Sequence, residues 1–468
     1  MRLPRPRVPS PVGVLRSTAF LLVLAALILA AGRFGVAQSV RSSFFTTGQQ
    51  IYDRVAQSLV DGHGFSDRGE PSVENPPVYP LAVAGAYWAG GRNWWSVAIM
   101  QTLFDLGSML LLYLLGKRLF GRTAGLIAAF LYALYPYLAA QAAILMDTSL
   151  FVLLLLAYLY FLTRAADHFS ARWTAASAAA AAGALLVRPT IAPVIVLTPA
   201  LLAFVGGTRR VIARMVILGG TIFLLLLTPW TVRNELRFHA FVPTSAKLGE
   251  NFYAGNSPHA AEYISEGKST DLLRVRTDAP HPPRRWNQVK KDGWWFHHGY
   301  KWARKHPGEW AHALKVKARA FWDWHLNPKT LGDTHMKNRI YTLTYLPLLA
   351  VSVLAALLCL VLPGRRRAFF FLGFVVGGFT LVHVLVVGYT RLRAPLDPLL
   401  MAFAGWLLAE VGGVTVRAWQ RLPLPVAASA GPGAGVGAPP ANLLPFPEPE
   451  HDFTAELPEG PTEILPEG

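Results

Sequence analysis

Carboxylates and guanidinium groups stand at the edges of long apolar runs in this sequence, where a charge is expensive and therefore informative. Asp53 lies in YDRVAQSLVDGHGF. There Tyr52, Val55, Ala56 and Leu59 recur at helical spacing and leave the acid on the polar edge. In that place it reads as a solvated helix residue or as a negative charge near a helix N-terminus. Asp147 opens the apolar run of ILMDTSLFVLLL, a position from which an aspartate also caps the first helical turn. Arg391 and Arg393 alternate in GYTRLRAPLDP just before a Pro-interrupted helix start. Two guanidinium forks at a water–lipid boundary suit bidentate binding of a phosphate, and they suit snorkelling to lipid headgroups equally well. Arg188, Arg233, Asp61 and Asp67 occupy other boundaries, while Asp105 and His383 fall within apolar runs. The histidines, His297 and His298 among them, have no ligand spacing with acids, so no metal site is assigned and no cofactor is named.

The elements that must position these groups are membrane helices. Of 468 residues, 53% are hydrophobic and only 15% charged, far below the charge of soluble domains. Runs of spanning length recur at 17–37, 97–116, 123–140, 148–163, 173–187, 190–206, 211–230, 341–362, 368–388 and 394–411. With the N-terminus in the cytoplasm, every short cytoplasmic segment of this ten-span thread is basic. Examples are Lys117, Arg118 and Arg122, then Arg209, Arg210 and Arg214, then Arg365, Arg366 and Arg367. The expectation is an all-α polytopic protein of the cell membrane with both termini cytoplasmic. The charge of +17 then reflects topology and attraction to anionic lipid, with no nucleic-acid partner. Cys359, the single cysteine, sits in an apolar run and reads as filler.

The organisation that follows is a basic N-terminus at 1–16 and an N-terminal membrane module at 17–230, whose first outside loop is 38–96. An extracytoplasmic subdomain at 231–340, C-terminal helices at 341–411 and a disordered acidic tail at 423–468 complete it. Within the first loop, 78–91 is too short to span and predicts an interfacial helix; within the subdomain a helix is predicted near 310–324.

Several segments are similar to those of a known family. IYDRVAQSLVDGHGFSD, PSVENPPVYPLAVAG, LLGKRLFGRTAGLIAAFLYALYP, ILMDTSLF, LVRPT, TPWTVRNELRFHAFVPTSAKLGENFYAGNSP, KHPGEWAHALKVKARAFW and YTRLRAPLDPLL occur in order across most of 49–400. They resemble the membrane-embedded glycosyltransferases of family 39, which include protein O-mannosyltransferases and lipid A aminoarabinose transferases. The resemblance implies a GT-C-type fold of about ten transmembrane helices with the first helix retained as an anchor. It also implies inverting transfer of a sugar from a polyprenyl-phosphate carrier, at a membrane lipid surface, to a glycan, lipid or protein acceptor on the extracytoplasmic side. By the same resemblance Asp53 and Asp147 are the catalytic acids. Arg391, Arg393, Arg188, Arg233, Tyr52 and Tyr79 surround the carrier phosphate, and Gly249, Asn251, Gly255 and Asn256 shape a turn beside the cleft. Many relatives carry an acid three positions before the first-loop tyrosine, where this chain has Gln49; Asp147 matches the family's second acidic position. The alternatives are a transporter or flippase for a lipid-linked substrate, which predicts internal repeats that the sequence lacks, and a catalytically inactive binding protein, which Gln49 would favour.

Overall fold

The computed structural model describes residues 11–46, 48–204, 207–270, 273, 280–326 and 335–421. The N-terminus up to residue 10 and the acidic tail lie outside the described residues. The described chain is almost all helix. Apolar runs facing lipid must satisfy their backbone groups within the segment, which leaves the helix as the form they take here.

From the N-terminus the helices are α1 (Pro11–Ser39), α2 (Gln50–Val60), α3 (Val78–Gly90), α4 (Trp94–Phe120), α5 (Arg122–Leu134), α6 (Pro136–Ala142) and α7 (Thr148–Asp167). They continue as α8 (Ala171–Leu185), α9 (Ala192–Val196), α10 (Thr198–Phe204), α11 (Arg209–Phe238), α12 (Leu248–Gly255) and α13 (Ala260–Ser265). The last are α14 (Gln288–Lys305), α15 (Pro307–Phe321), α16 (His335–Val361), α17 (Arg366–Leu385), the single turn α18 (Thr390–Arg393) and α19 (Asp397–Arg421). Among the described residues the only sheet is a hairpin of two-residue antiparallel strands, β1 (Ser66–Asp67) and β2 (Glu70–Pro71).

Among the described residues seven helices are long and apolar enough to cross a membrane, and the pair α5–α6, bent by 56° at Tyr135, raises this to eight. Pro136 accounts for the bend: it removes an amide donor and biases the residue before it away from helix. Two of the ten expected spans are different in form. The run at 173–187 is a helix of 15 residues, and the run at 190–206 is divided into α9 and α10, each opening on a proline at its first or second position. The two are consecutive. Counting both or neither as crossings therefore leaves the direction of α11 unchanged.

Two expectations for short helices outside the spans hold. The interfacial segment forms α3, and the subdomain helix forms as α15, starting three residues earlier than expected. Phe20, Leu27, Leu224, Leu225 and Leu343 are exposed on α1, α11 and α16, as on helices that face lipid. Inside the bundle, a Cβ added to Gly125 would meet the Tyr113 carbonyl oxygen at 2.5 Å, so α4 and α5 approach as closely as small residues allow. Asp105 pairs with Arg33 at 2.7 Å and accepts from the Tyr132 hydroxyl, which explains its place in an apolar run. His383 donates from Nδ1 to the Phe379 carbonyl of its own helix and stacks on Phe321 and Phe379, a core role.

Candidate active site at the first-loop end

The loop between α6 and α7 is fixed from both sides before it delivers Asp147. Gly48 forms a parallel bridge to Leu145, and the Gln49 amide donates to the Leu145 carbonyl at 3.2 Å. Gly48 has φ +92°, and a Cβ there would meet the Leu145 oxygen at 2.7 Å, so glycine is required twice over. On the other side Gln101 of α4 donates to the carbonyls of Ala142 and Ile144 and accepts from the Tyr79 hydroxyl at 3.0 Å. The first loop, α3, α4 and the residues before α7 are thereby one unit.

Asp147 occupies the N-cap position of α7, yet its side chain makes no capping bond. Its carboxylate, almost wholly buried, turns to Arg188: Nε donates to one oxygen at 2.9 Å and Nη2 to the other at 2.5 Å. Arg188 also donates to the Thr148 hydroxyl and lies over the Phe151 ring. Tyr52 projects from α2 against this pair and packs edge-on to Tyr79 with ring centroids 4.8 Å apart. Burial, and next the Asp147 charge, hold the Tyr52 hydroxyl well above its ordinary pKa; burial likewise raises Tyr79. Both tyrosines stay protonated, the Tyr79 O–H being committed to Gln101.

Asp53, one residue on from Tyr52, faces elsewhere. It accepts from the Tyr87 hydroxyl at 2.7 Å and from Arg92 at 3.0 and 2.8 Å, joining α2 to the end of α3. Burial pushes its carboxyl up, but the hydrogen bonds from Arg92 and Tyr87 outweigh this and hold it below the usual carboxylate range. The two acids named from the sequence thus enter separate pairs, with Gln49 beside the Asp147 loop.

The four arginines divide in the same way. Arg393 is fully buried, bonded to Asp397, to the carbonyls of Phe321 and Asp323 and to the Tyr341 hydroxyl, and stacked 3.6 Å from the Tyr345 ring centroid. Arg233 reaches across to the carbonyls of Phe65 and Ser72 and so ties α11 to the first loop. Arg188 is held by Asp147. Arg391, half-buried near the Tyr389 ring, has no acidic partner among the described residues.

The sequence reading passed over a second charged group here. Lys247 pairs with Glu74 and, at 2.8 Å, with Glu250; both acids retain partial exposure. The segments are held together by the Ala246 amide on the Val73 carbonyl. Glu74 also adds to the negative charge felt by Tyr52. These residues lie in SVENPPVYP and AKLGENFYAGN, stretches that carried the family resemblance, so the signal was present although the acids were not singled out. The glycines and asparagines of the second stretch form α12, a helix in place of the expected turn. Gly249 and Gly255 are contact points: a Cβ would meet the Asp292 oxygen at 1.9 Å and the Val386 oxygen at 2.0 Å. Asn256 accepts from Trp310 and from the buried Lys317, whose ammonium burial lowers to about 7.

A long helical bundle whose first loop and α6–α7 junction build one polar corner defines a GT-C-type membrane fold. The chain aligns with the archaeal oligosaccharyltransferase AglB from Archaeoglobus fulgidus, solved with an inhibitory peptide and a dolichol-phosphate, at TM-score 0.52 and 15% identity over 86% of this chain and 51% of that one. Residues 74–232 match the family model described as dolichyl-phosphate-mannose-protein mannosyltransferase. The putative mannosyltransferase YkcB of Bacillus subtilis (strain 168) is 42% identical over 79 residues, 17% of this chain and 11% of that protein. ArnT from Cupriavidus metallidurans, bound to undecaprenyl phosphate, is 16% identical over 86% of this chain and 81% of that one, with TM-score 0.39. The family-model match bears out the resemblance over residues 74–232. Its matched block contains Glu74, Tyr79, Gln101, Asp147 and Arg188. The chain spans about half the length of the AglB chain and about a tenth of YkcB.

Proposed function

We propose that this chain is an inverting glycosyltransferase that moves a sugar from a polyprenyl-phosphate carrier to an acceptor on the extracytoplasmic side of the membrane. The observation that carries the reading is Asp147: it stands where a helix cap belongs, yet it leaves the cap unmade and is held in plane by Arg188 beside Tyr52. The acceptor atom attacks the anomeric carbon, the bond from that carbon to the carrier phosphate breaks with its electron pair, and the acceptor's proton passes to Asp147. Arg188 fixes the carboxylate and leaves each oxygen a second lone pair. Tyr52 donates a hydrogen bond to a substrate oxygen, and Tyr79, whose O–H is committed to Gln101, packs against it and holds it in place. Arg391, the candidate cation without an acid, meets the phosphate as charge develops on it. Asp53 keeps α2 against α3 and acts through Tyr52 on the same helix. The basic thread of short loops supports the assignment of this corner to the extracytoplasmic face.

The test is transfer of a labelled polyprenyl-phosphate sugar in membranes by wild type, Asp147→Asn and Asp53→Asn. Release of polyprenyl phosphate by wild type and its loss in folded Asp147→Asn supports the reading. Loss in Asp53→Asn with Asp147→Asn unaffected moves the base to Asp53. Failure of wild type across a wide panel of carriers and acceptors favours the transporter or binding-protein alternatives.

A further inference from the structure

The helix that begins beside Asp147, α7, runs about 30 Å, and from its middle to its far end the surroundings have a different chemistry. A cavity of about 180 Å³ opens there between α7, α8, α10 and α11, its wall including Tyr158, Leu162, Thr174, Ser177, Met215 and Gly220. The hydroxyls on that wall are all engaged within the protein. Tyr158 bonds Thr198 at 2.7 Å, Thr174 donates to the Ser170 carbonyl and Ser177 to the Tyr158 carbonyl. What remains facing the space is hydrocarbon, which selects an apolar occupant.

The chain segments that flank the cavity lining are basic. Arg164, Arg172 and Arg214 stand one or two positions from the wall residues Leu162, Thr174 and Met215. Arg164 and Arg172 both rest on the Trp173 ring, at 5.2 and 4.7 Å from its centroid, and Arg214 lies 5.8 Å from that of Phe169. Stacking on rings orders a guanidinium while leaving its N–H fork free. None of the three forms an ion pair among the described residues, and the acid of this turn, Asp167, is taken by Arg118. Arg209 and Arg210 at the start of α11 add two further charges.

An apolar slot beneath a set of ordered, unpaired forks fits a molecule with a hydrocarbon chain and a phosphate and with no cationic headgroup to repel. We propose that this end of α7, α8 and α11 is a binding site for an anionic phospholipid, with an acyl chain in the cavity and the phosphate on Arg164, Arg172 and Arg214. The site is separate from the glycosyltransfer corner and does not depend on that reading.

Two substitutions separate its halves. A Cβ on Gly220 meets open space, so Gly220→Leu fills the cavity and leaves the arginines in place. The triple change R164Q/R172Q/R214Q removes charge and leaves the cavity. The measurement is native mass spectrometry of the detergent-solubilised protein titrated with phosphatidylglycerol or with phosphatidylcholine of the same chains. Wild type should prefer phosphatidylglycerol about tenfold, and each variant, with an unchanged unfolding midpoint, should reduce that preference at least fivefold. Equal binding of the two lipids by wild type overturns the proposal. So does full preference in Gly220→Leu, because the arginines then gather headgroups without a seat. Should either variant fail to fold, competition on wild type decides: displacement of phosphatidylglycerol by equimolar polyprenyl phosphate assigns the cavity to the carrier, and its retention supports the lipid.

Discussion

Two carboxylate–arginine pairs are built alike, yet their surroundings differ. Asp53–Arg92 and Asp147–Arg188 are both two-pronged, with both oxygens engaged. In the first, the arginine side chain is 47% exposed and the pair clasps two neighbouring helices at the rim. In the second it is 13% exposed, and the pair sits where the first loop, α7 and the residues after α8 meet. A carboxylate bound by an exposed arginine and a tyrosine secures helices. One bound by a buried arginine at a crossroads of segments is the point on which several elements converge to fix its orientation.

The comparison is sharpened most by Asp147→Asn, for which transfer should fall by about two orders of magnitude or more, consistent with loss of a general base. Arg391→Gln is expected to raise KM for the carrier about tenfold, equivalent to roughly 1.4 kcal/mol, with kcat less affected; a change confined to kcat would take Arg391 away from the phosphate. Asp53→Asn should cost about 2 kcal/mol of stability, seen as a lower unfolding midpoint in detergent, while transfer stays within about tenfold of wild type. An Asp53→Asn loss as large as that of Asp147→Asn would erase the distinction between the pairs. The pH dependence follows from the lowered Asp53 carboxyl. Its contribution is present above the unfolded carboxyl value and lost as pH falls through the folded one. The stability gap between wild type and Asp53→Asn should therefore be constant from pH 8 down to about 5 and close only in stronger acid. The smallest effect is Tyr79→Phe, which removes the bond to Gln101 and should cost about 1 kcal/mol.

Much of the architecture was legible because it is written in short-range signals. Apolar run length gave the spans, and the proline pair before Val78 with the apolar stretch behind it marked α3. Prolines also explain what was missed: Pro136 bends one expected span, and Pro193 and Pro199 divide another. The pairing of charges was not legible. Asp53 finds Arg92, Asp147 finds Arg188, and Asp105 finds Arg33 across 39, 41 and 72 residues, and nothing local in the sequence distinguishes those partners from other arginines. Arg393 shows the same limit. Its neighbour Arg391 looks identical in the sequence, but Asp397 one turn on and the Tyr345 ring draw only Arg393 into the core.

The brace from Arg233 to the carbonyls of Phe65 and Ser72 has a consequence in time. Ribosomes deliver the chain from its N-terminus, so Tyr52, Asp147 and Arg188 enter the membrane well before the arginine that ties the first loop down. The corner is closed by a segment made some 160 residues after the loop it closes. A half-finished chain therefore carries Tyr52, Asp147 and Arg188 without their frame, and the corner is complete only once α11 has inserted.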